Sequence, residues 1–168
     1  YRFYFEQGQY NTDKELGYGL KNTRIDYDNR TLYGDSVYFD NAREYASATQ
    51  NIKVIDSLNA SVLKAQYVEL FKAKDSMRAT GEAIVARELD RDSLYVHGTY
   101  LFVTGKEQER DLLAFPNARF YKEGLSGASD SLKYTQKSGI TELLGDPVLW
   151  NVKNQLTGDY MYFTYSKG

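Results

Sequence analysis

Apolar residues recur along this chain in short runs at a nearly constant spacing. Four segments align without a gap, and in each the first, sixth and eighth positions are apolar while the fourth is polar. A fifth copy begins at Leu125 and aligns if two residues are inserted before Leu132. The period of about 31 residues predicts a chain of tandem units. The four ungapped copies are residues 32–39 (LYGDSVYF), 63–70 (LKAQYVEL), 96–103 (VHGTYLFV) and 156–163 (LTGDYMYF).

A second, weaker segment follows the copies that begin at Leu32, Leu63, Val96 and Leu125. Each unit is therefore predicted to hold two short strands, with about five units in the chain. The third position of each first segment is small, and a glycine inside a strand pattern is typical of a bulge or corner. We expect the strands to bend there, at Gly34, Ala65, Gly98, Gly127 and Gly158. The second segments are residues 48–54 (ATQNIKV), 79–85 (ATGEAIV), 114–120 (AFPNARF) and 143–149 (LLGDPVL).

One stretch, residues 58–89, has a composition that favours helix. It is rich in Ala, Leu, Lys and Glu, and its apolar residues nearly form a helical stripe. Residues 63–70, however, occupy the same repeat columns as three segments rich in Tyr, Val and Phe. The repeat therefore predicts strand here, because packing context often overrides intrinsic propensity.

The N-terminal region carries a weaker pattern. Residues 1–5 predict a strand, residues 6–24 a loop that is free to move, and a strand resumes at Arg24. The 168 residues have the length of one ordinary domain, so we expect a single domain over residues 1–168.

Composition removes several kinds of chemistry. The chain has no Cys and one His, which excludes thiol nucleophiles, disulfides and the usual Cys- or His-clustered metal sites. A net charge of −2 with interspersed signs argues against a nucleic-acid partner. No apolar run approaches the roughly 20 residues that span a bilayer. The sequence starts at Tyr1 without a charged and apolar leader, so we expect any signal peptide or anchor to have been removed.

The residues that remain as candidates for catalysis have simpler explanations. His97 occupies a repeat column that varies among aromatic, cationic and small polar residues, which indicates an exposed strand face. Glu107 and Glu109 lie in a polar connection, where solvated turn residues are the expected case. We therefore predict a non-enzymatic protein without a metal or cofactor.

The uniformly apolar columns are the candidate site. They form the core of any β-structure with this repeat, and they would also line a groove if two stacked sheets parted enough to admit an apolar ligand. Both possibilities are open at this point. The predicted lining is Val37, Phe39, Ile52, Val54, Val68, Leu70, Val85, Leu101, Val103, Phe120, Leu149, Met161 and Phe163.

These repeats resemble the periplasmic lipopolysaccharide-transport proteins of the LptA or OstA-like family. The family pattern apolar-x-Gly-Asp-x-apolar-x-Tyr/Phe is carried by residues 32–39 and 156–163. The following Ala-x-Gly-Asn/Asp-Val-x-Val pattern is carried by residues 48–54, 79–85 and 144–149. The match covers about residues 30–165.

The resemblance implies a twisted β-jellyroll of antiparallel strands whose apolar interior holds the acyl chains of lipid A. It implies a location in the periplasm of a Gram-negative envelope. The expected partners are lipopolysaccharide and other Lpt-type bridge components, in an assembly that could be a head-to-tail homo-oligomer. An alternative from another class is a carbohydrate-binding β-sandwich whose tyrosine-rich face and Trp150 stack on sugars.

Overall fold

The repeated segments all form strands. The structure, a computed structural model, describes residues 2–88, 92–107 and 109–164. Positions 1, 89–91, 108 and 165–168 lie outside the described residues, including one end of each predicted segment 1–5 and 58–89. The strands are β1 (Arg2–Tyr4), β2 (Gln7–Asn11), β3 (Leu16–Tyr27), β4 (Arg30–Asp40), β5 (Tyr45–Asp56), β6 (Ser61–Phe71), β7 (Ser76–Thr80), β8 (Ile84–Glu88), β9 (Ser93–His97), β10 (Tyr100–Thr104), β11 (Asp111–Phe115), β12 (Ala118–Lys122), β13 (Leu125–Ser129), β14 (Ser131–Thr135), β15 (Ile140–Leu144), β16 (Val148–Asn151), β17 (Gln155–Thr157) and β18 (Tyr160–Thr164).

The all-β prediction is confirmed, including the stretch whose composition favours helix. Residues 61–88 form β6, β7 and β8, and the helical content of the described chain is one 3₁₀ turn at Lys72–Lys74. Side chains of β6 alternate between the interior and the outer face, which an amphipathic helix would not produce.

The strands build two sheets that share a common corner. Each long strand from β3 to β6 pairs along both of its halves and shifts register in the middle, so that one half lies in each sheet. After β6 the strands are interrupted at this corner, so each later strand belongs to only one of the two sheets. Sheet I runs in the order β1, β3, β4, β5, β6, β8, β9, β12, β13, β16, β17, and sheet II in the order β2, β3, β4, β5, β6, β7, β10, β11, β14, β15, β18.

Every pairing is antiparallel, and both ends of the two sheets are open. Within the described chain, β1 and β2 pair only with β3, β17 only with β16, and β18 only with β15. One end therefore presents the free edges of β1 and β2, and the other presents those of β17 and β18.

The corner has a regular backbone signature in the second segment of each unit. Residues there adopt the left-handed region, with positive φ at Gln50, Asn51, Gly81, Glu82 and Asn117 among others. Such residues act as a bulge and make the second segment one residue longer across the corner than the first segment beside it: Leu32 pairs with Val54 and Val37 with Ala48. The interior residues of a first segment are therefore an odd number apart, and those of a second segment an even number.

The predicted bends in the first segments are correct at four positions and wrong at one. Gly34 and Ala65 lie at register shifts within long strands, and Gly98 and Gly158 lie between two strands. Gly127 instead lies inside β13, and the bend falls at Asp130. The fifth copy therefore aligns without the predicted insertion: Leu132 takes the buried place of Leu101, and Gly127 takes that of Val96.

The prediction of a loop over residues 6–24 is also wrong. Residues 7–11 and most of 16–27 form the hairpin of β2 and β3. Residues 19–25 (GLKNTRI) repeat a second segment, with a register shift between Leu20 and Thr23 like that between Thr49 and Ile52. Thr23 stands where other second segments have the apolar Ile52, Ala83 or Ala118, and the polar Lys21 and Asn22 precede it, so the repeat is hidden in the sequence.

The core is densest along the corner, where small and large side chains alternate between neighbouring strands of sheet II. Val37, Ala48, Val68, Ala79, Leu101 and Ala114 pair in this order and are each at most 1% exposed. Alanines in every second strand let the two sheets approach closely at this row. Farther from the corner the inward side chains of sheet II, such as Leu70 and Met77, are larger and only half-buried, because the sheets diverge there and leave cavities between them.

A pair of glycine substitutions tests this packing. A methyl group on Gly127 would overlap the ring of Phe120 and lie 2.8 Å from Leu149 Cδ2, whereas one on Gly34 would lie 3.6 Å from Ala48 Cβ. Neither glycine has a left-handed backbone. We expect Gly127→Ala to lower the free energy of unfolding by about 1–3 kcal/mol, measured by urea denaturation. Gly34→Ala is the matched control and should change it by less than about 0.5 kcal/mol; equal losses would contradict the assigned packing.

Candidate functional site

A groove runs between the diverging sheets. One wall is a row of sheet I residues that pair across successive strands, including Ile25, Leu32, Val54, Leu63 and Val85. The facing wall is a row of sheet II that includes Leu70, Met77, Val103, Leu112 and Tyr134. Because strand side chains alternate, each wall presents an almost continuous apolar surface to the other.

Two cavities occupy this groove. The cavity nearer the β1 end has a volume of about 330 Å³ and is lined by Phe3, Ile25, Phe39 and Leu70 among others. The cavity nearer the β18 end has a volume of about 110 Å³ and is lined by Val85, Val96 and Phe120 among others. Arg30 and Val54 line both, so the cavities adjoin.

The thirteen residues predicted to line the groove divide by their distance from the corner. Val37, Ile52, Val68 and Leu101 are almost fully buried at the corner and line neither cavity. Leu149 and Met161 are half-buried, pack against the core and also line neither. The residues that line a cavity are Phe39, Val54, Leu70, Val85, Val103, Phe120 and Phe163.

Other residues that line the cavities are absent from the sequence prediction, although the pattern of the strands indicates them. Met77 and Leu112 pair with Val103 from either side and share its wall. The polar side chains of Arg30, Arg87 and Arg110 also line the β18-side cavity. Each lies two residues from an apolar wall position, so the strand period of two would have placed it on the same face.

Polar groups join the sheets where the groove opens to solvent, along the edge opposite the corner; we call this edge the mouth. Asp56 of sheet I accepts hydrogen bonds at Oδ2 from Arg30 Nε at 3.1 Å and from Arg110 Nη1 at 3.0 Å. Asp56 is only 8% exposed. Arg110 precedes β11 of sheet II, so this ion pair connects the two walls across the opening.

The connection continues through amides. Asp56 Oδ1 accepts from the backbone N–H of Asn59, and Asn59 Oδ1 accepts from Gln136 Nε2 at 3.0 Å. Gln136 Oε1 in turn accepts from the backbone N–H of Arg110 at 3.0 Å. Arg87 of sheet I donates from Nη1 to the Tyr134 hydroxyl of sheet II at 3.0 Å. The mouth is therefore a polar rim above an apolar interior.

Aromatic pairs stand across the groove near each open end. The rings of Phe3 on β1 and Phe39 on β4 stack with centroids 4.3 Å apart. Near the other end, the rings of Phe120 on β12 and Phe163 on β18 lie 5.4 Å apart. Each pair includes one residue from a strand with a free edge, so the ends of the groove are closed by strands held on one side only.

The titratable groups with shifted pKa values lie on the outer faces. Burial, together with hydrogen bonds to Tyr45 and Glu69, raises the pKa of Tyr67 well above its usual range. Tyr67 neighbours the interior Val68 and therefore points outward.

His97 is half-buried on β9 with its Nδ1 2.9 Å from the Ala83 carbonyl oxygen, and Glu107 and Glu109 are exposed between β10 and β11. None of these three lines the groove.

A solved structure with a similar fold is LptH from Pseudomonas aeruginosa, described as the LptA homologous periplasmic component of the conserved lipopolysaccharide transport device. The TM-score is 0.62 at 16% sequence identity, and the match covers 69% of this chain and 82% of that one. The predicted LptA-like β-jellyroll fold is thereby confirmed. No protein-family model matches the chain, and the search of curated proteins finds no match. Among the described residues there is no helix of the length and apolarity needed to cross a membrane.

Removing the carboxylate of Asp56 tests the connection across the mouth. Asp56→Ala leaves two half-buried arginines without their shared acceptor, so we expect the free energy of unfolding to fall by about 3 kcal/mol. Glu109→Ala is the control, because it removes an ion pair with Lys137 whose side chains are 59% and 75% exposed. That control should change the same free energy by less than about 1 kcal/mol in urea denaturation. A loss at Asp56 no larger than the control would contradict a stabilising role for the ion pairs.

Proposed function

We propose that this chain is a non-enzymatic periplasmic module of lipopolysaccharide transport, in which the groove between the sheets holds acyl chains of lipid A. The observation that carries the proposal is a groove with apolar walls and a polar rim in an LptA-like fold. Such a groove suits an amphipathic ligand whose chains enter between the sheets while its polar part stays at the mouth.

The energetics favour a carrier of this kind. Each acyl CH₂ group removed from water gains about 0.8 kcal/mol, so a chain of about twelve carbons gains on the order of 10 kcal/mol before costs are subtracted. A protein that moves such a chain between membranes must keep it away from water throughout. A continuous apolar wall does this without any chemical step.

Loading requires the groove to widen. The β1-side cavity, about 330 Å³, is near the lower end of the range for pockets that hold drug-sized ligands. The groove is also narrowed by the Phe3–Phe39 and Phe120–Phe163 ring pairs. We propose that the sheets separate and the terminal strands shift as acyl chains enter, with the corner acting as the fixed edge.

The free edges support the proposed assembly. Unpaired backbone groups of β1 and β2 at one end, and of β17 and β18 at the other, can pair with strands of a neighbouring molecule. Other Lpt-type bridge components or a second copy of this chain are the proposed neighbours. A head-to-tail array would join the grooves of successive molecules into one path.

The alternative of sugar binding is favoured by one observation. Exposed tyrosines lie on the outer faces, and the rings of Tyr95 and Tyr121 are 6.4 Å apart on neighbouring strands. Trp150 is exposed as well, with its Nε1 donating to Gln155 Oε1. A carbohydrate-binding module would use this outer surface and would not need acyl chains.

Site-specific photocrosslinking distinguishes the two functions. A benzoylphenylalanine at position 39 replaces a groove phenylalanine, and we expect it to crosslink to lipopolysaccharide because acyl chains would contact it. The matched control is the same group at Tyr18, which is 40% exposed on the outer face of sheet II. Crosslinks are detected by immunoblotting for lipopolysaccharide after electrophoresis.

The proposed function predicts crosslinking at position 39 and only background at position 18. It also predicts that deacylated lipopolysaccharide neither crosslinks at position 39 nor competes for it. Crosslinking confined to position 18, together with binding of the deacylated glycan, would favour the carbohydrate-binding module instead.

A further inference from the structure

The mouth of the β18-side cavity carries an excess of positive charge above an apolar interior. Its lining includes three arginines, Arg30, Arg87 and Arg110, against two carboxylates, Asp56 and Asp111. The rest of the lining is mostly apolar, with Leu63, Val96 and Leu132 among its members. The cations therefore stand where a ligand of this cavity would carry its polar group.

Arg87 is the least neutralised of the three. Within the described residues Arg87 forms no ion pair; it donates a hydrogen bond to the Tyr134 hydroxyl, and its guanidinium carbon lies 5.8 Å from the centroid of the same ring. A guanidinium has five N–H donors, so most of those on Arg87 remain available to a ligand. Its side chain is half-buried, which strengthens any charged contact it makes relative to one in bulk water.

Two further polar groups in the same cavity have no hydrogen-bond partner among the described residues. Arg110 uses Nη1 for Asp56, but its Nε is buried and makes no hydrogen bond. Thr141 is only 4% exposed, and its Oγ1 is also buried without a partner. Buried polar atoms in this state carry a desolvation cost that an oxygen of a bound ligand would remove.

We propose that Arg87 and Arg110, supported by Arg30, bind the anionic headgroup of an acyl-chain amphiphile, and that this headgroup is a phosphate ester. The proposal rests on the proposed function, since the acyl chain lies in the same groove. Phosphate fits because its oxygens accept from several guanidinium donors at once, with a geometry that matches the planar arginine fork. The Thr141 hydroxyl, deeper on the wall, would hydrogen-bond an oxygen where headgroup and chain join.

Two probes with the same chain and different headgroups test the proposal. We expect the wild-type protein to bind dodecyl phosphate more tightly than dodecyl maltoside, measured by isothermal titration calorimetry below the micelle concentration of each. Arg87→Gln should weaken binding of dodecyl phosphate about tenfold, the loss of roughly one charge-assisted hydrogen bond. The same substitution should leave binding of dodecyl maltoside unchanged.

Arg119→Gln is the matched control, because Arg119 is exposed and alternates with the buried Ala118 and Phe120 of β12. It should change neither affinity. Arg110→Gln should act like Arg87→Gln but also removes an ion pair with Asp56, so its folding is checked by circular dichroism. Arg87 is outside that ion pair, so the result for Arg87→Gln decides whether the proposal is correct.

The contrary outcomes separate this proposal from the function on which it rests. Equal affinity for the two probes, or an equal loss of both in Arg87→Gln, would overturn the headgroup site and leave the acyl groove intact. Inorganic phosphate binding as tightly as dodecyl phosphate would also overturn it, because the site would then serve a free anion. Binding of neither probe by the wild-type protein would overturn both proposals.

Discussion

The whole structure depends on how closely two sheets can approach along a shared corner. Side chains set that distance, and the row beside the corner alternates Val or Leu with Ala from strand to strand, through Ala48, Ala79 and Ala114. Each fully buried large residue of this row contributes about 1.5–3 kcal/mol, so the corner holds the sheets together. Beyond it the inward residues are bulkier, and the same sheets must separate. The close approach of the sheets at the corner and the open groove beyond it therefore both result from the sizes of the inward side chains.

The opposite edge of the groove is held by a different kind of interaction. Asp56, which also pairs with Arg30 of its own sheet, forms a charged contact with Arg110 across the mouth, and the Asn59–Gln136 hydrogen bond extends it. Contacts of this kind depend on exact geometry and can be replaced by other polar partners, whereas burial at the corner has no such alternative. The sheets are thus joined by a buried core on one side and by replaceable polar contacts on the other, which would suit the proposed entry and release of a ligand.

The sequence predicted the rows but not everything that lies in them. The column that contains Val37, Val68 and Leu101 is apolar in every ungapped copy, and the structure buries these three residues as a repeating β-core should. The pattern could not show which members lie deep in the corner and which face the groove, because both are equally apolar. That distinction depends on the divergence of the sheets, a tertiary property. Lys21, Asn22 and Thr23 hid a further unit, since a bulge built from polar residues with left-handed backbone looks like a loop.

Gly127 and the arginines of the mouth show two other limits. The sequence pattern predicts a corner at Gly127 because glycine is common at corners, yet Gly127 lies on the groove wall, where the missing side chain leaves room for the Phe120 ring. That reason is a contact between distant segments and leaves no local signal. Arg30, Arg87 and Arg110 did leave one, two residues from apolar wall positions, but attention to apolar columns alone passes over a charged residue on the same face.

The strand count has a consequence for how molecules of this kind would join. In the part of the chain that the structure describes, each sheet contains eleven strand segments, all antiparallel to their neighbours, so its first and last strands run in the same direction. A copy added head to tail would therefore meet its neighbour along parallel strands, whereas two like ends related by a twofold axis would meet antiparallel. Parallel ladders have slanted hydrogen bonds and are slightly less stable per residue. An odd number of strands thus gives a head-to-tail junction a parallel ladder, slightly less stable per residue than the antiparallel ladders between the described strands of each molecule.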